Sequence, residues 1–346
     1  MKNPVLAALA ASLALVSCKG QAPAPDAQAE SRTEDSRAAI TDFARMLIVE
    51  RKPMEAFAKY FAPDIVQHDP WIGDGNKGDE EFLEKRREEN PEQFEATEKY
   101  VNVIHNIMAD GDLVAVKSHV FTSPADAGRV FVDIWRVKDG KIVEHWDVIQ
   151  PIEAKRANDG AVGCGVGGTY EAAQKAGDTV SSPACGKPAK AGDKEAGDKE
   201  ANRKLVLDYM AMGRQPGKLV EAINTYLAED FTQHSGHIPP GRQGLIDYMA
   251  PLQAKRAADN RTDHFARTLA DGDLVLVHRR VTSDSDPRGI AYADLFRVKN
   301  GRITDHWDVI QPIPEFSASG RSMTGGPDDP LEPGRRRGPP PAGAGH

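Results

Sequence analysis

One stretch of this chain occurs twice. Residues 133–152 read DIWRVKDGKIVEHWDVIQPI and residues 294–313 read DLFRVKNGRITDHWDVIQPI, at a constant offset of 161 and with 14 of 20 positions identical. At the same offset, ADGDLVAV from Ala109 matches ADGDLVLV from Ala270. Self-similarity that extends over roughly a hundred residues predicts two copies of one folded domain and not a solenoid of short repeats.

The length and charge of the chain fit this plan. A chain of 346 residues is long enough for two domains that each bury a core. Its formal net charge is −8, and its lysines and arginines are dispersed along the sequence. Because there is no basic stripe to neutralise phosphates, we do not expect nucleic acid as a partner.

The N-terminus has the pattern of an export signal. Lys2 precedes a short apolar run that ends just before Cys18, and this run is too short to span a bilayer. Residues 1–18 resemble a bacterial lipoprotein signal peptide, which implies cleavage before Cys18 and lipidation of its sulfur. An ordinary secretory signal with a chance cysteine is the alternative. The membrane would then be a partner through the lipid anchor only.

The residues after Cys18 carry two further expectations. Residues 19–33 are polar, rich in Ala and Pro and without periodicity, which is typical of a tether between the membrane and the first domain. Lys19, instead of Asp, follows the cysteine. In the lipoprotein pattern this residue implies an outer-membrane protein that faces the periplasm.

Two cysteines remain for an exported compartment, where thiols oxidise. A disulfide between Cys164 and Cys185 would close a loop of about 22 residues and stabilise a folded segment by roughly 3 kcal/mol. Free or externally paired thiols are the alternative. No histidine stands at ligand spacing near either cysteine, so the sequence predicts no metal site there.

Periodicity divides the rest of the chain into domains. We expect copy one at residues 34–153, a linker rich in Gly and Ala at 154–201, copy two at 202–315 and a disordered tail at 316–346. Each copy begins with helical spacing and continues with strand spacing and Asp-Gly or Asn-Gly turns. Helices followed by an antiparallel meander predict an α+β fold in which a curved sheet wraps onto helices.

The last hairpin of each copy admits two registers. A two-residue turn at Asp139-Gly140 would put Val137 opposite Ile142. Asp133, Trp135, Glu144 and Trp146 would then share one face, and His145 and Asp147 would lie on the other. A three-residue loop with a glycine bulge would shift the pairing by one residue. It would place Asp133, Trp135, His145 and Asp147 on one face. We favour the bulged loop, because it gathers two carboxyl groups, an imidazole and an aromatic ring.

This hairpin supplies the candidate catalytic residues. A carboxylate among apolar strand neighbours is costly unless it has a partner or a task. The catalytic candidates are Asp133, His145 and Asp147 in copy one and Asp294, His306 and Asp308 in copy two. The same histidines could instead be hydrogen-bonded structural residues. The sequence predicts no metal ligands among them.

Further residues are candidates for the pocket lining. Gln67-His68 and Gln233-His234 repeat at an offset of 166 before loops that could form a cavity mouth. Lys117 stands where copy two has a histidine, so one copy could have lost a catalytic group. The pocket candidates are His68, His119, Trp135 and Trp146 in copy one and His234, His278, Phe296 and Trp307 in copy two. Trp146 and Trp307 could instead be core or interface anchors.

Together these motifs resemble the SnoaL-like polyketide cyclase family of the nuclear transport factor 2-like superfamily. The resemblance covers most of both copies. It implies two tandem cone-shaped barrels with a deep pocket, and cofactor-free aldol cyclisation in which a pocket aspartate abstracts a proton beside a carbonyl. Asp147 and Asp308 best match that base. The loops after the histidines depart from the family pattern, with Asp69-Pro70 in copy one and Ser235-Gly236 in copy two.

Two functions follow as hypotheses. The first is a cofactor-independent cyclase or isomerase acting on a small, hydrophobic, carbonyl-containing compound. The second is a non-catalytic envelope lipoprotein that binds a hydrophobic small molecule or a protein. A purely structural tandem is a third possibility. In any of them the two copies could pair as an intramolecular pseudo-dimer, since the linker is long enough to span it.

Overall fold

The structure is a computed structural model, and it describes residues 27–89, 101–123, 125, 127–153, 156–158, 170–171, 173 and 193–341. The predicted lipidation site Cys18 and the predicted disulfide of Cys164 with Cys185 lie outside these residues. Every helix within them is too short or too polar to cross a lipid bilayer.

Copy one consists of helices packed on one mixed sheet. Its helices are α1 (Ala27–Ala44), which continues as a π-helical turn (Arg45–Val49), α2 (Pro53–Tyr60) and α3 (Asn76–Glu89). Its strands are β1 (Phe61–Gln67), β2 (Val101–Asp110), β3 (Leu113–Phe121), β4 (Arg129–Lys138) and β5 (Lys141–Pro151). They lie in the order β1-β5-β4-β3-β2, with β1 parallel to β5 and the remaining neighbours antiparallel. Helix α1 begins inside the stretch predicted to be a tether.

Copy two repeats this architecture. Its helices are α4 (Lys199–Arg214), α5 (Leu219–Tyr226) and α6 (Gly241–Ala258). Its strands are β6 (Leu227–Gln233), β7 (Thr262–Asp271), β8 (Leu274–Thr282), β9 (Ile290–Lys299) and β10 (Arg302–Pro312), in the order β6-β10-β9-β8-β7. The predicted α+β class is therefore confirmed: each copy has helices and an open five-stranded sheet.

The last hairpin combines parts of both predicted registers. Asp139 and Gly140 have φ of 50° and 73°, as a two-residue type I′ turn requires, and Val137 pairs with Ile142. The predicted three-residue loop is therefore wrong. Val143, however, is an extra residue between two pairs of the ladder, so the register shifts there. Beyond this bulge Asp133 faces Asp147 and Trp135 faces His145, as the favoured prediction required.

The two faces of each sheet have different neighbours. On the helix face of copy one, Val116 and Trp135 join a buried cluster with helix residues such as Phe43 and Phe57. The opposite face of each sheet, here called the interface face, packs against the other copy. Its cluster contains Ile134 and Trp146 of copy one together with residues of copy two, which are Leu269, Leu274, Leu276, Ala291, Ala293, Leu295, Trp307, Val309 and Ile313.

Hydrogen bonds across this interface come in symmetric pairs. The Gln311 side-chain oxygen accepts from the backbone N–H of Ile149 at 2.7 Å, and the Gln150 oxygen accepts from Ile310 at 2.9 Å. Asp271 likewise accepts from the backbone of Ala109, and Asp110 from that of Ala270. Because equivalent residues make equivalent bonds, the contact has the self-complementary character of a twofold dimer within one chain.

Residues 316–341, here called the C-terminal segment, form an ordered structure against copy one. Their side chains include a buried pair in which Arg335 donates to Glu332 at 2.6 Å, and β11 (Phe316–Ser317) pairs with β12 (Arg336–Arg337). Met323 is fully buried in the interface cluster. The prediction of a disordered tail is therefore wrong for these residues. The segment has few large apolar side chains of its own, but it docks on an apolar surface that the rest of the chain supplies.

Candidate functional site

Strands β4 and β5 place an acid, a base and a ring together on the helix face of copy one. The His145 Nε2 atom lies 3.2 Å from Asp133 Oδ1, and the Trp135 ring stacks on the imidazole at 3.7 Å between ring centres and 12° between planes. Asp147 is directly opposite Asp133 on the neighbouring strand. The structure thus brings together all three predicted catalytic residues of copy one and the predicted pocket residue Trp135.

Gln67 and Asp79 fix the orientation of this imidazole. The Gln67 side-chain nitrogen donates to both carboxyl oxygens of Asp79, at 2.8 and 3.0 Å, so its oxygen is left to accept from His145 Nδ1 at 2.9 Å. Both ring nitrogens of His145 are therefore held, Nδ1 by the Gln67 amide and Nε2 by the Asp133 carboxyl group. Burial raises the pKa of Asp79 to about 8.

Asp147 is a buried carboxyl group with a raised pKa. Its side chain is 3% exposed, and its Oδ1 atom has no hydrogen-bond partner in the described part of the chain. Burial raises the pKa of Asp147 well above its usual range, and the negative charges of Asp69 and Asp133 add to the effect. A buried carboxyl group with a raised pKa is the kind of group that can exchange protons with a bound molecule near neutral pH.

Copy two has the same triad with one added cation. His306 Nε2 lies 3.2 Å from Asp294, its Nδ1 lies 3.1 Å from the Gln233 side-chain oxygen, and Phe296 stacks on its ring. Arg279 donates to Asp294 at 2.7 Å. Burial alone would raise the pKa of Asp294, but Arg279 and His306 hold it below its usual range. The equivalent of Arg279 in copy one is Ser118.

The triad of copy two lies at a cavity of about 170 Å³. Asp294, His306 and Asp308 line it, with His237 Nε2 3.9 Å from an Asp308 oxygen. Helices α4, α5 and α6 supply most of the remaining lining, which is Tyr209, Met210, Gly213, Arg214, Leu219, Leu245, Tyr248, Met249, Leu252 and Arg256. This cavity is the pocket between helices and sheet that the sequence predicted, with Phe296 in its lining.

Both triads also have the spacing of a metal site. In Asp133, His145 and Asp147, and in Asp294, His306 and Asp308, one ligand atom from each residue lies within 4.8 Å of the others. Two carboxylates and one imidazole are donors that a divalent transition metal accepts. These residues could therefore hold an ion, although the sequence predicted no metal ligands.

Four predicted pocket residues instead lie on the interface face. Trp146 and Trp307 both belong to the interface cluster, because they alternate with the pocket residues along their strands. His68 stacks on Trp146 and contacts Glu144 at 3.0 Å, and His234 stacks on Trp307. The structure thus supports the alternative reading of the tryptophans as interface anchors and keeps both histidines out of the pocket.

The two remaining pocket candidates lie on the interface face as well. His119 pairs with Val130 and its Nε2 donates to the carbonyl of Ala127 at 3.2 Å. His278 pairs with Ala293 and its Nδ1 contacts Arg267. Both partner positions on the neighbouring strand belong to the interface cluster. The divergence between Lys117 and His278 therefore concerns the interface between the copies and not the triads.

Several residues of the sites carried little sequence signal. Gln67 and Gln233 belong to the repeated Gln-His pairs, but it is the glutamine, not the histidine, that reaches the triad. Asp79 is one acidic residue in a charged helix, and nothing in the sequence distinguishes it from its neighbours. Arg279 is visible only as a difference between otherwise matching copies.

Comparison with known proteins agrees with the repeat. The model of the SnoaL-like domain family matches residues 40–145 and 209–306, which together are more than half of the chain. No curated protein matches the chain.

Similar solved structures each match about one copy. A candidate ketosteroid isomerase from Kribbella flavida is 20% identical, covers 34% of this chain and 83% of its own, and has a TM-score of 0.29. A candidate polyketide cyclase from Bacillus cereus is 24% identical, covers 30% and 70%, and has a TM-score of 0.26. A candidate SnoaL-like polyketide cyclase from Jannaschia is 16% identical, covers 35% and 90%, and has a TM-score of 0.28.

The family match covers both copies and includes Asp133 and His145 in one and Asp294 and His306 in the other. This chain therefore belongs to the SnoaL-like domain family, and it contains that domain twice.

Proposed function

We propose that the protein is a cyclase or isomerase that moves a proton beside the carbonyl group of a small organic compound. The observation that carries this proposal is the Asp147 carboxyl group, which is buried, has a raised pKa and faces the Asp133–His145 pair. An ionised carboxylate of raised pKa is a strong base for its class. It is therefore suited to remove a weakly acidic proton.

The proposed reaction uses Asp147 as the base and His145 as the group that stabilises the negative charge on the substrate oxygen. Asp147, in its ionised form, takes a proton from the carbon beside the carbonyl, and the electron pair of the broken C–H bond forms the C=C bond of an enolate. The His145 imidazole, which Asp133 and Gln67 orient, stabilises the negative oxygen by a hydrogen bond. Return of the proton from Asp147 to another carbon completes an isomerisation. Attack of the enolate carbon on a second carbonyl of the same molecule forms a ring and an alkoxide, and return of the proton from Asp147 to that alkoxide completes a cyclisation.

Copy two supports a binding role beside catalysis. Asp308 is the equivalent of Asp147, but the opposing Asp294 is held as an anion by Arg279. The buried ion pair makes Asp294 a poor proton acceptor. We therefore assign the principal acid–base role to Asp147 of copy one. Copy two would have a weaker activity of the same kind or would bind a ligand.

Proton exchange with solvent tests this function. We expect the full chain in D₂O to exchange the α-protons of simple cyclic ketones faster than buffer does, as followed by ¹H NMR. Asp147→Asn should lower that rate by about 10²–10⁴-fold, the usual contribution of one acid–base group, and Asp308→Asn should lower it less. Asp139→Asn is the matched control, because copy two carries Asn300 at the equivalent turn position. Exchange at the buffer rate in the unmodified protein, with and without added Zn²⁺ or Mg²⁺, would refute the proposal.

We further propose that the protein is anchored to the outer membrane through Cys18 and faces the periplasm. This rests on the pattern of residues 1–19. Metabolic labelling with a radioactive fatty acid should mark the natural protein and not a Cys18→Ser variant. Equal labelling of both would refute the anchor and leave the catalytic proposal untouched.

A further inference from the structure

Four arginines line the cavity of copy two, and two of them have no acidic partner. Arg214 and Arg279 both pair with Asp263, at 2.9 and 2.5 Å, and Arg279 also pairs with Asp294. In the parts of the chain that the structure describes, no carboxyl group pairs with Arg256 or Arg261. Four guanidinium groups thus face three carboxyl groups, those of Asp263, Asp294 and Asp308.

The Arg256 guanidinium is also poorly solvated. Its Nε atom is buried, with no hydrogen-bond partner in the described chain. Burial lowers the pKa of Arg256, and the positive charges of Arg261 and Arg279 lower it further, while the negative charge of Asp263 offsets part of this effect. An arginine that is desolvated and repelled by its neighbours is costly unless an anion joins it.

We propose that this cavity binds a small organic carboxylate, with Arg256 and Arg261 as the partners of its charged group. The inference rests on the proposed function only in taking the helix-side pocket as the ligand site. A planar guanidinium can donate two parallel hydrogen bonds to a carboxylate, which gives both charge neutralisation and orientation.

The rest of the lining indicates the body of the ligand. Ile238, Leu245 and Leu252 present apolar surface to the cavity, and Tyr248 and Tyr292 add aromatic rings. A cavity of about 170 Å³ is smaller than the roughly 300–1,000 Å³ of most ligand pockets, so it suits a compact molecule. The ligand is therefore a carboxylate on a small apolar or aromatic body, with its charge toward the arginines and its body against the apolar and aromatic lining.

This preference belongs to copy two. The positions equivalent to Arg279, Asp263 and Tyr292 in copy one are Ser118, Asn102 and Phe131. In copy one the carboxyl groups of Asp69 and Asp133 lie near that of Asp147 instead. The surroundings of the two triads therefore differ in charge, so that an anion is favoured in copy two and disfavoured in copy one.

Calorimetric titration of the full chain tests the inference. The probes are benzoate, phenylacetate and cyclohexanecarboxylate, each paired with its neutral amide, with phenyl phosphate as a further anion. We expect at least one carboxylate to bind saturably and about tenfold or more tightly than its amide, the range for a charge-assisted bidentate contact. The double variant Arg256→Gln with Arg261→Gln should lose that advantage and bind the amide unchanged.

Two further variants make the result specific. Lys255→Gln removes an exposed charge from the same helix outside the cavity lining, and it should leave the affinity for carboxylates unchanged. Arg256→Lys keeps the charge but loses the planar fork, so it should show an intermediate affinity. Unchanged melting temperatures would show that the variants are folded.

Three results would overturn the inference: no saturable carboxylate binding, equal affinity for carboxylate and amide, or full affinity in the double variant. Tighter binding of phenyl phosphate would overturn the assignment to carboxylates. Carboxylate binding without any α-proton exchange would refute the proposed enzyme but not the carboxylate site. Exchange without carboxylate binding would refute the carboxylate site but not the proposed enzyme.

Discussion

Asp133 and Asp147 lie directly opposite each other on antiparallel strands, on the face of the sheet that the helices cover. One carboxyl oxygen of Asp133 lies within 4.8 Å of one of Asp147. Ionising both carboxyl groups so close together costs free energy, because their negative charges repel each other. His145 Nε2 lies 3.2 Å from Asp133, while Asp147 lies near Asp69. The two aspartates therefore differ. Asp133 contacts the His145 imidazole, whereas Asp147 is a buried carboxyl group of raised pKa.

Removing the Asp147 charge should stabilise the protein. Its pKa in the folded state is raised above the unfolded value, so the stability present at low pH is lost as the pH rises between the two. Asp147→Asn mimics the protonated form. We expect its melting temperature to exceed that of the natural protein by roughly 2–4 °C at pH 8, as for a change of about 1 kcal/mol, and to match it near pH 3.

Scanning calorimetry at several pH values measures this effect. Asp139→Asn, on the exposed turn, serves as the control and should follow the natural protein at every pH. A melting temperature for Asp147→Asn that is lower than the natural one at pH 8 would show that the charged form of this residue is stabilised in the fold.

The Asp79 carboxyl group predicts a second pH dependence. Burial raises the pKa of Asp79 to about 8. Its contribution to stability is therefore complete at low pH, falls as the pH rises from about 4 toward 8, and levels off above that. Asp79→Asn should gain stability relative to the natural protein over this range, as measured by urea unfolding. Glu81→Gln, which removes an exposed charge on the same helix, should show no such gain.

Trp146 and Trp307 should differ in their cost of substitution. The Trp146 indole donates to the carbonyl of Gly325 at 2.8 Å, whereas the indole nitrogen of Trp307 is buried with no partner in the described chain. Both side chains pack in the same interface cluster, so the lost volume is similar. We expect Trp146→Phe to lower the free energy of unfolding by about 0.5–1.5 kcal/mol more than Trp307→Phe does, the net contribution of one hydrogen bond, because the Gly325 carbonyl keeps Arg267 as a donor.

Urea unfolding of the two variants checks this difference. Deletion of residues 316–346 should bring the two costs together, because it removes the acceptor of Trp146. Equal costs in the full chain would show that the C-terminal segment does not hold Trp146 in solution.

The glutamine contacts should stabilise the pairing of the copies. Gln311→Ala would leave the buried backbone N–H of Ile149 without its acceptor, and Gln150→Ala would do the same to Ile310. We expect each substitution to cost about 1–3 kcal/mol in chemical unfolding. Gln243→Ala, in an exposed position, should cost much less. Costs near zero for both interface variants would contradict the face-to-face packing.

The sequence predicted the helices, the strands and the convergence of Asp133, His145 and Asp147, because all of these follow from periodicity and repetition. The predicted turn is wrong. The register shift comes from a bulge at Val143 and not from a three-residue loop, and no residue type in the sequence indicates that bulge. Which face of a strand meets helices and which meets the other copy depends on tertiary packing. For that reason His68 and Trp146 were placed in the pocket although both lie on the interface face.

The C-terminal segment shows a second limit of sequence patterns. Composition measures whether residues 316–341 can form a core of their own, and they cannot. Composition cannot show that the backbone carbonyls of Ser322 and Gly325 accept hydrogen bonds from the His68 and Trp146 side chains. Gln67 belongs to a repeated Gln-His pair in the sequence, but only the fold shows that its amide orients the His145 imidazole.

Titration of the Asp147 carboxyl group tests the central claim most directly. Carboxyl ¹³C NMR of the labelled full chain, compared with Asp147→Asn, identifies the signal of this residue. The account predicts that the signal missing from the variant titrates well above the ordinary aspartate range, because burial and its acidic neighbours raise its pKa. A signal that titrates near pH 4, like that of an exposed aspartate, would contradict the assignment of Asp147 as the acid–base group.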